Sequence, residues 1–287
     1  ENQIGFGERI YLKELPKKNI IKFKNYAEFC ERFNFNKKLR TILILPNVFI
    51  DNLLTHDWAI FANPIEWYLN TLKMIKKIKN VNWLIKPHPS EKIYNTNITA
   101  KKLFYKVVSS REKNINFIDE KYNIDNLDMH ISSAVCFAGS AGYEYTKLGI
   151  QVYTAGDTRY SNFKLTKSPK NLKEYKFILK NLNKPNNVSY SKKIKAGLYW
   201  FLIKSLTRLQ NNLIPITLTR SNFYNEKFWE LALKNLKQYK NSKINEIFYN
   251  NLYTMFKNKN RHSLDLNKIY KNKKIISIKL NDIKYNS

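Results

Sequence analysis

Val135-Cys136-Phe137-Ala138-Gly139-Ser140-Ala141-Gly142-Tyr143-Glu144-Tyr145 is the stretch whose reading decides the fold. Residues 134–138 are apolar and of strand length, the turn that follows is Gly-Ser-Ala-Gly, and residues 143–148 suit a helix. Strand, tight turn and helix in that order aim backbone N–H groups and a positive helix end at one spot, which suits a phosphate. The whole chain holds seven glycines, and four of them, Gly139, Gly142, Gly149 and Gly156, fall here and in the continuation. Glycine serves where the backbone takes positive φ or lies close to another group. Spacing alone leaves two readings open, a phosphate turn and an ordinary close-packed strand-to-helix turn. Gly-Ser-x-Gly is neither a full dinucleotide fingerprint nor a P-loop, and Ala138 departs from the Gly-x-Ser-x-Gly elbow.

Working outward, the same alternation recurs. Thr41-Ile42-Leu43-Ile44-Leu45-Pro46 is a short, mostly apolar run of the kind buried on both faces of a parallel sheet. Val81-Asn82-Trp83-Leu84-Ile85, Ile115-Asn116-Phe117-Ile118 and Ile150-Gln151-Val152-Tyr153-Thr154 repeat it. Helical spacing lies between, over residues 64–79 (with Pro64 in the first turn) and 100–109, and a short helix is expected over 125–132. Five strands separated by helices predict an α/β fold, a Rossmann-like, doubly wound parallel sheet. Ligands of such sheets bind at the carboxyl ends of the strands. That edge would carry Asp51, His88, Ser140 and Gly156, all in loops that follow strands.

The flanks read differently. Residues 1–40 are mixed and basic, with a short helix over 26–33, and are expected to be a lead-in or the remnant of a preceding domain. Residues 41–180 form the sheet domain. Residues 181–287 are expected to be a basic helical extension, with helices near 189–213 and 225–236 after one over 171–182. No signal-peptide pattern is seen, and the opening Glu1 fits a piece of a longer chain. The most apolar segment, 197–218, is interrupted by Lys204 and Arg208, which argues against a membrane span.

At 287 residues, 43% hydrophobic and 14% aromatic, the chain has ample material for a core. Its formal charge of +29 suits an anionic substrate, a phosphate-rich partner or an anionic membrane surface. Abundant Lys, Asn, Ile and Tyr together also follow from an AT-rich genome, which weakens that inference. The two cysteines, Cys30 and Cys136, stand far apart in apolar settings, so no disulfide framework and no metal site is expected, as in a reducing cytoplasm. His56, His130 and His262 show no metal-like spacing and are expected to be surface or structural.

Lys86-Pro87-His88-Pro89 is the sharpest local signal. Two prolines hold the loop rigid around the histidine. A His beside a Lys at a strand end can grip or protonate a phosphate leaving group; a Pro-rich structural turn is the alternative. Glu144, four residues after Ser140, could accept hydrogen bonds from a ribose diol or merely complement the helix dipole.

Three features together resemble the bacterial capsule polysaccharide biosynthesis family. They are the Lys86-Pro87-His88-Pro89 strand end, the Gly139-Ser140-x-Gly142-x-Glu144 turn, and Gly156-x-x-x-Tyr160, with Ser168-Pro169 and Glu174-Tyr175 trailing. The similarity spans roughly residues 41–180. That family includes β-Kdo transferases, glycosyltransferases of GT-B fold, so the resemblance implies a GT-B type nucleotide-binding domain. It implies that His88 and Ser140 contact the phosphate of a CMP-activated sugar, with Lys86 adding charge and Gly139 and Gly142 shaping the turn. Glu144 would lie near the ribose, and Asp51, Asp157 and Tyr160 would line the cleft toward the sugar, His88 and Asp51 being the catalytic pair. No metal or other cofactor is implied. GT-B enzymes have two Rossmann-like domains and only the nucleotide-binding half is recognisable here, so a partner domain or chain would complete the site.

The expected partners are a nucleotide-sugar donor, a glycan or glycolipid acceptor, and an anionic membrane surface against residues 189–213. The expected location is the cytoplasm, peripheral to the inner face of the membrane. Nucleic acid is not expected, because no recognised module accompanies the charge. Two rivals remain: transfer of a polyol phosphate from a CDP-activated donor, as in teichoic-acid-type polymerases, and a non-catalytic half-domain that binds nucleotide or membrane.

Overall fold

The computed structural model describes residues 19–50, 59–92, 96–109, 111–119 and 122–203, together with the helical residues 226, 230, 233 and 234. Residues 51–58, and with them Asp51 and His56, lie outside the described residues, as do His262 and nearly all of the expected extension beyond 203.

Along the chain the elements are β1 (Asn19–Ile21), α1 (Tyr26–Arg32), β2 (Thr41–Leu45), α2 (Pro64–Ile75), β3 (Asn82–Ile85), α3 (Ala100–Val107), β4 (Ile115–Phe117) and β5 (Tyr122–Ile124). Then come β6 (Ser133–Cys136), α4 (Ala141–Lys147), β7 (Gln151–Thr154), α5 (Leu172–Lys180) and α6 (Tyr190–Phe201). Five strands form one parallel sheet in the order β4-β3-β2-β6-β7. Counted along the chain that order is 3-2-1-4-5, the Rossmann pattern, and it reverses between β2 and β6. The fold is therefore α/β and Rossmann-like, as the strand-helix alternation predicts.

Four of the five sheet strands are buried on both faces, the edge strand β4 less so, and alternate residues of the strands enter different cores. Ile42, Ile44, Trp83, Ile85, Val135 and Tyr153 pack with Trp67, Leu72, Phe104 and Tyr175 from α2, α3 and α5. Leu43, Leu84, Ala134, Cys136 and Val152 pack on the other side with Phe29 and Cys30 of α1 and Tyr145 of α4. Period two along each strand and helices on both faces give three layers.

The chain's asparagines start helices. The Asn25, Asn63 and Asn171 side chains accept the N–H of Glu28, Glu66 and Glu174, the third residues of α1, α2 and α5. Each glutamate reaches back to the residue before the cap, at Lys24, Ala62 and Lys170. Caps of this kind are worth about 1 kcal/mol each. Gly149, at φ +93°, closes α4: its N–H donates to Thr146 O and that of Ile150 to Tyr145 O, a Schellman ending.

Two compact units part between Trp200 and Phe201, and the sheet belongs to the first. The described part of the expected lead-in is built into that unit. Phe23, Phe29 and Phe35 are core residues, and β1 pairs in parallel with β5 beside the main sheet. Residues 125–132, expected as a helix, hold only a single 3-10 turn, Leu127–Met129, after β5. β1 and β5 are three residues each, too short for a periodic signal.

Candidate functional site

The carboxyl edge of the sheet is continued by main-chain hydrogen bonds beyond the strands. Lys86 N donates to Ile44 O at 3.0 Å, which hooks the start of the Lys86–Pro89 loop onto the central strand β2. On the far side, Ala155 N donates to Cys136 O and Gly156 N to Phe137 O at 2.8 Å. β2 thus stands between β3, which feeds Lys86 and His88, and β6, which feeds Gly139 and Ser140. Two strand spacings separate these loops, about 10 Å. They flank the point where strand order reverses, the place where open α/β sheets take their ligands.

Gly139 and Ser140 are both exposed at the turn. Gly139 has φ +115°, and a Cβ built on it would meet nothing within 4 Å, so its outer side is open. Ser140 occupies the N-cap of α4 in αR geometry, and its hydroxyl makes no capping hydrogen bond. The hydroxyl is consequently not consumed by the helix. α4 itself has only seven residues, so the hydroxyl and the open backbone matter more than a long helix dipole.

Gly142 has a different task. A Cβ there would fall 1.9 Å from Tyr160 Oη and 2.6 Å from its Cζ. Tyr160 lies under the turn, 2% exposed, and its hydroxyl donates to Gly139 O at 2.6 Å. Its ring packs edge-on against Tyr143 and Tyr199, and burial pushes its phenol well above the usual range. Placed there, Tyr160 fixes the turn from behind. Thr146 Oγ1 does the same for α4, donating to Gly142 O at 2.7 Å and reaching Leu165 O at 3.2 Å.

Glu144, on the first turn of α4, is 3% exposed. Its charge acts on Lys147, whose ammonium burial holds below the usual lysine range while Glu144 opposes that shift. Asp157 follows Gly156 directly and is half-buried. Gly156 lets the loop after β7 lie against Phe137, whose ring and carbonyl O stand 3.2–3.3 Å from a built Cβ. Lys86 and His88 are both half-buried.

Glu91 had no assigned role in the sequence, yet it positions the histidine loop. It is 3% exposed in the 3-10 turn Pro89–Lys92, its N–H donates to His88 O, and its carboxylate accepts the Ala100 N–H at 2.7 Å. The loop after β3 is thereby tied to the start of α3. An acidic residue just after a Pro-bounded loop was the available signal.

No protein-family model matches the chain, and no curated protein is similar to it. Among solved structures it is similar to the β-Kdo 2,4 transferase KpsC of Thermosulfurimonas dismutans. The likeness has 15% identity and a TM-score of 0.36, and covers 56% of this chain and 44% of that one. The chain thus spans less than half the length of that protein. The likeness is distant, and the functional reading rests on the geometry of the site. Fold and turn together define a Rossmann-like α/β domain, an arrangement consistent with nucleotide binding.

Proposed function

We propose that this domain binds a nucleotide-activated sugar, CMP-linked, as the donor half of a GT-B type glycosyltransferase of surface-glycan assembly. One observation carries the reading: Lys86–His88 and the open Gly139–Ser140 turn stand on either side of the central strand, at the switch point. A phosphate between them would meet an ammonium, an imidazole and an uncommitted hydroxyl. As the sugar–oxygen bond breaks, negative charge grows on the departing phosphate. Preorganised donors aimed at that charge are the largest usual source of rate enhancement. In this reading His88 steadies or protonates the leaving phosphate, Asp51 is the acid/base partner, and Asp157 faces the sugar. Glu144 is proposed for the ribose. A second domain or chain brings the acceptor, a glycan or glycolipid at an anionic membrane surface. Among the described residues no helix is long and apolar enough to cross a membrane.

The test is calorimetric titration of CMP, CDP and UDP into the chain and into its His88→Ala and Ser140→Ala variants. CMP should bind, and each substitution should weaken it about tenfold, or 1.4 kcal/mol. Preference for UDP would keep the site and discard the CMP donor. Tighter binding of CDP, with phosphate found in the transferred group, would favour polyol-phosphate transfer. Absence of binding by all three would sink the proposal.

A further inference from the structure

On the opposite edge of the sheet, α2, the connection from α2 to β3, and α5 line an open cavity of about 780 Å³. Five of its lining residues are lysines, Lys73, Lys77, Lys79, Lys176 and Lys180, and among the described residues no Asp or Glu lines it. Residues 78–80 lead into β3, and Asn80 Nδ2 donates to Lys180 O at 3.5 Å, so the cavity sits at the amino ends of the strands. The Gly139 turn is at the carboxyl ends, about 13 Å away along a four-residue strand.

Lysines in the last turn of a helix often serve its dipole, and both α2 and α5 end here. The magnitudes do not match. Each helix end carries roughly half a negative charge, which leaves about four of five positive charges uncompensated. Among the described residues none of the five is in an ion pair; the neighbouring Lys76 is instead paired with Glu112 at 3.5 Å. Lys176 and Lys180 are a like-charge pair four residues apart on α5, and Lys73 in the last turn of α2 is followed by Lys77 in the turn just past that helix. A like-charge pair within a helix destabilises it by a few tenths of a kcal/mol. All four lysines line the same concavity, where field lines focus. An anion between the helices would turn mutual repulsion into shared attraction.

We infer that this cavity binds a compact anion bearing several phosphate groups. All five cations are lysines, which meet phosphate oxygens as point charges; the set has no arginine fork of the kind that matches a planar carboxylate. A concave wall suits a group that enters it and not a flat surface. The phosphates belong either to a free oligophosphate or to a phosphorylated headgroup.

The probe is inorganic tripolyphosphate, titrated into the full chain at fixed ionic strength. Lys77→Gln with Lys176→Gln should weaken binding about tenfold or more. Lys24→Gln with Lys38→Gln, exposed elsewhere on the unit, should change it less than about twofold. The cavity variant should fold normally by circular dichroism, since it relieves the repulsive pair on α5 and removes one charge from the turn after α2. CMP binding should be untouched, so the outcome is independent of the donor-site reading. Flotation with phosphatidylcholine vesicles carrying a phosphatidylinositol bisphosphate separates the sources. Vesicle capture lost in the cavity variant assigns the headgroup, and tripolyphosphate binding without capture assigns the free anion. Equal weakening by both lysine pairs, or loss of tripolyphosphate binding in Ser140→Ala alone, would overturn the inference.

Discussion

Two glycines three residues apart do opposite things. Gly139 faces open space with positive φ, and Gly142 faces a buried phenol. Adding one methyl group at Gly142 drives it to 1.9 Å from Tyr160 Oη. Tyr160 cannot yield cheaply, being 2% exposed and hydrogen-bonded to Gly139 O. Gly142→Ala is therefore expected to destabilise by about 1–3 kcal/mol, the usual cost of overpacking. By pushing Tyr160 off Gly139 it should also loosen the turn, so CMP affinity should fall together with the thermal midpoint. Retention of wild-type stability would show that Tyr160 does not hold the turn. The sequence marked both glycines as special. It could not say which one faced a ligand and which faced the interior, because that depends on a tyrosine 18 residues further on.

Elements in this fold are joined by a few buried polar links. Trp67 Nε1 donates to Tyr175 Oη at 2.9 Å and Thr71 Oγ1 shares a hydrogen bond with it at 2.8 Å, which ties α2 to α5. All three residues are fully buried. Tyr175→Phe would strand an indole N–H and a hydroxyl away from water, at a cost on the order of 2–3 kcal/mol. The midpoint should fall by roughly 5–10 °C in a thermal melt, and a smaller drop would mean that the helices repack.

His130 joins α1 to the sheet's second core. It is 6% exposed, stacked on Phe29 at 5.0 Å and edge-on to Phe23, and its Nε2 has no hydrogen-bond partner among the described residues. Burial holds its pKa below the usual histidine value of 6.5, while Asp128 and Glu28 pull the other way. A depressed histidine pKa means that the unfolded chain binds the proton more readily. Its contribution is intact above about pH 6.5 and is lost as pH falls through that value toward the folded pKa. His130→Phe keeps the stacking and removes the titration, so its midpoint should drop less between pH 7.5 and 5.5 than the wild type's. Equal drops would assign the acid sensitivity elsewhere.

At the scale of the whole unit, strand order brings the candidate site together. Lys86–His88 and Gly139–Ser140 are about 50 residues apart in sequence, and the 3-2-1-4-5 order puts one strand between them. The same topology sends the lysines of α2, α5 and the connection after α2 to the other edge, so the two anion sites proposed for this basic chain lie at opposite ends of the strands. Net charge alone made no such distinction.

Much of this was legible in the residues. The five apolar runs announced the strands, because a strand buried on both faces has no polar alternative. The clustered glycines announced the turn, because positive φ is a property of one residue. What the tertiary structure decided was everything that depends on distant partners. It placed Tyr160 beneath the turn and buried Glu144 on its helix, and it tied the histidine loop to α3 through Glu91. It built residues 19–40 into the core through β1 and β5, strands too short to carry a period of their own. It also gathered five lysines from two helices and the connection after α2 around one cavity. Sequence periodicity records which side of an element is buried. Which residues face one another across 20 to 100 positions is set only when the layers close.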